Sequence, residues 1–559
     1  MLSVFKYYSV FLVVLAIAAI SCQSQNEMDR MVIQNVTGYT FYEDTLREFS
    51  AIAFEEGKVV DVYTDTSFND SGDIKIIDGQ GRVMLPGLID AHAHVMGLGF
   101  QQIHVNLAGT PSLKEALRQV EEYASDYPDL NWIEGRGWNH THWDINRFPT
   151  AEELDKIENE RPVWLTRVDG HAGWANSKAM ELAGITAETE APQGGEIIRD
   201  ENGEPTGIFV DAAMDLITSE IPEPTTRERK LAFNNALQQM RSHGLTSVHD
   251  AGIGIRDWQL YKSVADSGRL TTRIYAMISG TGATFDTLAQ KGPIPSYKQD
   301  MLALQSVKIY ADGALGSRGA AMINPYSDDP DNRGLLFASE EEMTNKILKT
   351  ASAGYQTNVH AIGDRANRVV LNTFESVKDS LGNQGLRHRI EHVQIVSEKD
   401  IPRFKSLDII ASMQPTHATS DLNMAEDRVG SERIKGGYAW KTFIDQGTVV
   451  AFGSDFPVED VNPFYGLYSA VTRQTQEGEP EGGWYPGERV SRAQALRSFT
   501  LDAAYAAHQE KVLGSLEPGK WADFILIDRD FFEIPDQEIW QTEVLESWVA
   551  GQKIYSKAD

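Results

Sequence analysis

One phrase recurs along the chain and restricts its fold more than any other feature. A helical segment closes on glycine and gives way to an apolar run whose far end carries polar groups. Gly244 precedes LTSVHD, Gly354 precedes YQTNVHAIGD, and Gly447 precedes TVVAFGSD. In the middle copy, EEEMTNKILKTASAG, Met343, Ile347, Leu348 and Ala351 fall on one stripe of a helix, and Gly354 stands just past its last turn, where a left-handed backbone is needed. Helices and strands alternating with glycine stops read as a parallel α/β architecture. Polar groups gathered after strand ends favour a (β/α)8 barrel over an open doubly wound sheet, because barrel strands all point one way and their C-terminal ends share one face. No glycine-rich phosphate loop of the dinucleotide type follows a first strand.

The groups brought to that face suit a metal. The run VMLPGLIDAHAH ends in His92 and His94, which strand alternation projects to one side at one depth, where two imidazoles can share an ion. Lys308 in SVKIYADGA, His360 in QTNVHAIGD, His392 in RHRIEHVQ and Asp455 in TVVAFGSDFP stand at comparable strand ends. A dinuclear hydrolytic site needs nitrogen and oxygen ligands on both ions, a bridging group and an activated water. His92, His94 and Asp455 would hold one ion, and His360 and His392 the other. An ammonium cannot ligate a cation, but a buried lysine that loses its proton can take up carbon dioxide, so Lys308 as a carbamate would bridge. Histidine and carboxylate ligands suit zinc, and also manganese, iron and cobalt. Whether one or two ions bind is open.

The chain's 559 residues would suit several domains, or a barrel with insertions. Short β-prone runs before residue 84 and after residue 510 predict a small β-sandwich domain built from 23–84 and 510–559, around a barrel of 85–509. Ser112 reads as the N-cap of a helix running to about Tyr127, with Glu115 as its capping-box partner. The tryptophan-rich stretch of about 129–226 reads as an insertion over the barrel mouth. Its tryptophans would either wall a pocket or pack a core of their own. With 81 acidic and 51 basic residues the formal charge is −30, which argues against nucleic acid or an anionic membrane surface as partner.

Residues 1–22, MLSVFKYYSVFLVVLAIAAISC, carry an apolar run too short to span a bilayer comfortably, then small Ser21 and the chain's one cysteine, Cys22. The segment resembles a bacterial lipoprotein signal. It implies an exported, envelope-located protein that touches a membrane only through lipid on Cys22.

The ordered motifs PGLIDAHAH, VKIYADGALGSRGA, NVHAIGD, RIEHVQ and FGSDFPV resemble the amidohydrolase superfamily. RVDGHAGWANSKAM and SLEPGKWADFILID point to the branch that contains N-substituted formamide deformylases. The resemblance implies that His92 and His94 are the first-strand ligands, Lys308 the carboxylated bridge, His360 and His392 the ligands of strands five and six, and Asp455 both ligand and proton shuttle. It implies hydrolysis of an amide or N-acyl C–N bond by metal-activated hydroxide. A deaminase or cyclic-amide hydrolase on the same cage, or an envelope binding lipoprotein without turnover, are the rival readings. A small molecule is the expected partner, with a homodimer left open. Asp312 and Arg318, in the loop after Lys308, His171 from the insertion and His417 after MQPT are candidate substrate contacts. Arg318 would pair with a substrate carboxylate or form a surface ion pair. His249 and Asp250 read as outer partners that support the site or as hydrogen-bonded core.

Overall fold

The computed structural model describes residues 30–65, 74–143, 145, 147–167, 170, 172–192, 195–382 and 385–557. Cys22 and His171 lie outside them. Eight parallel strands form the central sheet: β1 (Leu88–Ala93), β2 (Leu245–Ile253), β3 (Arg273–Ser279), β4 (Leu302–Tyr310), β5 (Gln356–Ala361), β6 (Arg389–His392), β7 (Ile410–Met413) and β8 (Val450–Phe452). Each pairs with the next in chain order. Between β8 and β1 the gap is bridged just past the strand ends. Asp455 N donates to His92 O at 2.8 Å, and the Asp90 carboxylate accepts Ser454 N at 3.1 Å and Ser454 Oγ at 2.6 Å. The result is a nearly closed TIM-type barrel, with strand C-termini on one face.

Local sequence explains the units. In helix Glu340–Ser352 the Ser339 side chain accepts Glu342 N, the Glu342 carboxylate accepts Ser339 N, and Met343, Ile347, Thr350 and Ala351 are buried, with Leu348 at the edge. Gly354 then takes φ 83°, and the amides of Gly354 and Tyr355 close the helix on Ala351 O and Thr350 O. Helix Leu113–Asp126 starts on Ser112, whose Oγ accepts Glu115 N. Here the Glu115 carboxylate engages Arg118 at 2.6 Å, so the reciprocal half of the expected capping box is replaced by an ion pair.

Strands from both chain ends share one seven-stranded sheet. Strand Ile74–Pro86 pairs with Arg30–Tyr42 on one side and with Phe524–Ile527 on the other, then leads through Gly87 into β1. Any Cβ at Gly87 would stand 2.2 Å from Thr246 Oγ1, so only glycine lets the chain pass β2 there. Between β1 and β2 a separate six-stranded sheet begins at Val105–Asn106, upstream of residue 129, and ends at Pro205–Asp211. Trp138, Trp143 and Trp174 pack together in its core, while Trp132 and Trp164 pack with Phe209 and Ile217. Those tryptophans therefore fill the insertion's own cores and do not wall the pocket described next. Among the described residues, no helix is long and apolar enough to cross a membrane.

Candidate metal centre

At the C-terminal mouth of the barrel a cavity of about 320 Å³ is bordered by His94, Lys308, His360, His392, His417 and Asp455. His92 lies fully buried beneath it. Asp455 stands at the middle. Its Oδ1 lies 3.2 Å from His94 Nε2 and 3.7 Å from His92 Nε2, and its Oδ2 lies 3.6 Å from His417 Nε2 and 4.0 Å from His392 Nδ1. The His360 ring sits 4.5 Å from the His392 ring, centre to centre. All six residues predicted as ligands thus meet at one place. Two sets of three residues, His92, His94 and Asp455 and then His392, His417 and Asp455, each have their ligand atoms within 4.8 Å of one another inside the set. The second set includes His417, which sequence reading had placed as a substrate contact.

The backbone is bent to achieve this. His392 and Asp455 adopt left-handed φ values of 76° and 66°, a conformation that costs side-chain-bearing residues on the order of 1–3 kcal/mol and recurs where function requires it. Alternation along β6 would put His392 on the face opposite Arg389 and Glu391. The left-handed turn at the strand end instead brings it into the mouth.

Buried partners orient the imidazoles. His92 Nδ1 meets Glu391 Oε2 at 2.6 Å, which leaves Nε2 facing the cluster, and Glu391 in turn pairs with Arg389 at 2.8 Å. His392 Nδ1 meets Gln414 Oε1 at 2.9 Å, leaving its Nε2 free of that contact. Such outer partners fix ring orientation and tautomer at metal sites. Sequence reading missed Glu391. Its signal was an acid inside the apolar run RIEHVQ, next to a predicted ligand. Asp90, which latches β1 to β8, was missed too, although it shares a strand face with His92.

Burial, reinforced by the charge of Lys308, lowers His92 to about 4 and His360 to about 3, and burial drives His392 well below the usual range. The rings are therefore neutral, the form that ligates. Burial also lowers Lys308 to about 8, and its Nζ lies 2.9 Å from His92 Nε2. Burial pushes Asp455 up, but the adjoining His94 and the other neighbouring imidazoles hold it down at about 2. Asp455 Oδ1 and His360 Nε2 are buried without a hydrogen-bond partner. Orphaned buried acceptors of nitrogen and oxygen type, grouped this tightly, fit a divalent cation.

Asp312 and Arg318 do not border the cavity themselves, although Asp312 Oδ1 lies 3.7 Å from His360 Nε2. Asp312 is fully buried and accepts the amides of Ala321, Ile362 and Gly363, which pins the loops around His360. Arg318 pairs with Asp328 at 2.9 Å. His249 binds Arg389 at 2.9 Å, and Asp250 accepts Val95 N and Tyr261 OH, all within the core.

Residues 75–555 match the amidohydrolase family. The chain is 34% identical over 535 residues to Protein LONG AFTER FAR-RED 3 of Arabidopsis thaliana, covering 93% of this chain and 90% of that one. It is 27% identical over 524 residues to N-substituted formamide deformylase of Arthrobacter pascens, covering 91% and 95%. The crystal structure of an uncharacterized metal-dependent hydrolase from Pyrococcus furiosus superposes with a TM-score of 0.76 at 28% identity, covering 90% of this chain and all of that one. With its barrel, its ligand cluster and a match along most of its length, the chain belongs to the amidohydrolase family, as a metal-dependent hydrolase.

Proposed function

We propose that the cavity hydrolyses the C–N bond of an amide or N-acyl amine, including N-substituted formamides, with Asp455 moving the proton. The observation that carries this reading is the Asp455 carboxylate, held ionised at the centre of the histidine cluster with one oxygen lacking a hydrogen-bond partner. His92, His94 and Asp455 would hold one divalent ion, and His360 and His392, with His417 at the same edge, a second. Lys308 would join the two as a carbamate, formed when its neutral amine adds carbon dioxide and releases a proton. An ion so held would supply polarisation of the scissile carbonyl and a water acidic enough to attack near neutral pH. Asp455 takes a proton from the attacking water and returns it to the departing nitrogen, so that one acid and one amine leave. Glu391 keeps His92 in its working orientation throughout. The cavity volume, about 320 Å³, suits a small acyl amine. The similarity to N-substituted formamide deformylase supports the bond type.

A panel of N-formyl amines, N-acyl amines, hydantoins and aminopurines, read for amine and for ammonia separately, tests this. Amine release from acyclic amides is the expected result. Ammonia from aminopurines alone, or opening of hydantoins alone, would replace the reading with deamination or cyclic-amide hydrolysis.

A further inference from the structure

The cavity has a wall that the proton transfer does not use. Helix Pro415–Asp421, which follows β7, brings His417 to the cavity and, one turn later, Asp421. Glu459 joins them from the loop after Asp455. Both carboxylates are half-buried, and each accepts one neutral hydroxyl: Tyr438 OH on Asp421 at 2.6 Å and Ser420 Oγ on Glu459 at 2.5 Å. Among the described residues, neither forms a salt bridge. Arg318 and Arg428 both turn to Asp328, Arg473 donates to the backbone oxygens of Tyr438 and Trp484, and Lys308 is buried against His92.

Gln394 supplies an independent sign of a missing ligand. It is only 5% exposed, its Nε2 donates to His417 Nδ1 at 3.0 Å, and its Oε1 has no partner although it borders the same cavity. A buried amide oxygen without a donor is uncommon and calls for an occupant. The wall therefore offers two carboxylates that lack a cationic partner among the described residues, and one orphaned carbonyl, all acceptors. The charge of −30 on the whole chain adds an attractive field for cations.

We propose that this wall binds a positively charged end of the substrate, an ammonium or guanidinium, so that the compound hydrolysed is an N-acyl amine bearing a second, cationic nitrogen. The identity of the scissile bond rests on the reading above. The cation site rests on Asp421, Glu459 and Gln394.

Three matched compounds test it with the metal-loaded enzyme: mono-N-formyl-1,4-diaminobutane, which is cationic, N-formylpentylamine, which is neutral, and N-formyl-5-aminopentanoate, which is anionic. The cationic compound should exceed the neutral one in kcat/KM by about tenfold or more, with the anionic one lowest, since charge-assisted hydrogen bonds outweigh neutral ones. In the Asp421→Asn, Glu459→Gln double variant that ratio should fall to near one, with the single Asp421→Asn variant in between. Thermal melts establish that each variant folds. If no amide is turned over, the bond assignment has failed, and calorimetric binding of the same three compounds decides the cation site by itself. Equal or better use of the neutral or anionic compound by the unaltered enzyme would overturn the proposal. A preference that survives the double substitution would overturn it as well.

Discussion

Asp455 is a residue at which backbone and chemistry make separable demands. Its φ of 66° is one that asparagine tolerates well, so Asp455→Asn should leave the fold intact while removing the basic oxygen. Turnover number should drop by about 10² to 10⁴, equivalent to roughly 3–5 kcal/mol of barrier, with most of the metal retained. Normal turnover in that variant would move the proton shuttle to another group, with His417 the nearest. Lys308 yields a pH prediction. A carbamate forms from the neutral amine, whose fraction rises with pH up to and through about 8. His92 and His360, at about 4 and 3, are already neutral well below that range and contribute no rise of their own. Metal uptake by stripped protein in bicarbonate buffer should therefore climb between pH about 7 and about 9, with its midpoint near 8, and level off above. Lys308→Ala should stay low at every pH, with partial recovery from added short carboxylic acids. Uptake independent of both bicarbonate and pH would refute the carbamate.

The elements differ in how openly their sequence declares them. The barrel strands are buried on both faces, and β2, β5 and β8 each follow a helix that stops on glycine, which made them readable along with the polar groups at their ends. The two-residue strand Val105–Asn106 carries no periodicity, which is why the insertion's sheet begins earlier than its composition announces. Glu391 and His392 occupy opposite faces in any strand reading, and only the left-handed turn at His392 unites them at one site. Asp421 is one helical turn from His417, a relation visible only once Pro415–Asp421 is known to be a helix. Gly453 shows how tightly β8 must approach β1. A Cβ there would lie 2.5 Å from His92 N and 2.6 Å from Asp90 Oδ1. Gly453→Ala should force the latch apart, costing about 1–3 kcal/mol of stability and weakening metal binding together, as read by thermal melts and metal titration. An alanine variant equal to the parent in both would show that the two strand ends can separate without consequence.

At the scale of the whole molecule, each appended sheet has its own core, and the chemistry lies at the barrel mouth between β1 and β8. The molecule's central property is that hydrolysis depends on an ion held by groups from strands hundreds of residues apart in sequence. Metal content and amide hydrolysis, measured on the same preparation as purified, after chelation and after reloading, test this most directly. The account predicts about one or two divalent ions per chain, loss of amine release on chelation, and its return when the metal is restored. A chelated, metal-free protein that releases amine at an undiminished rate would contradict it.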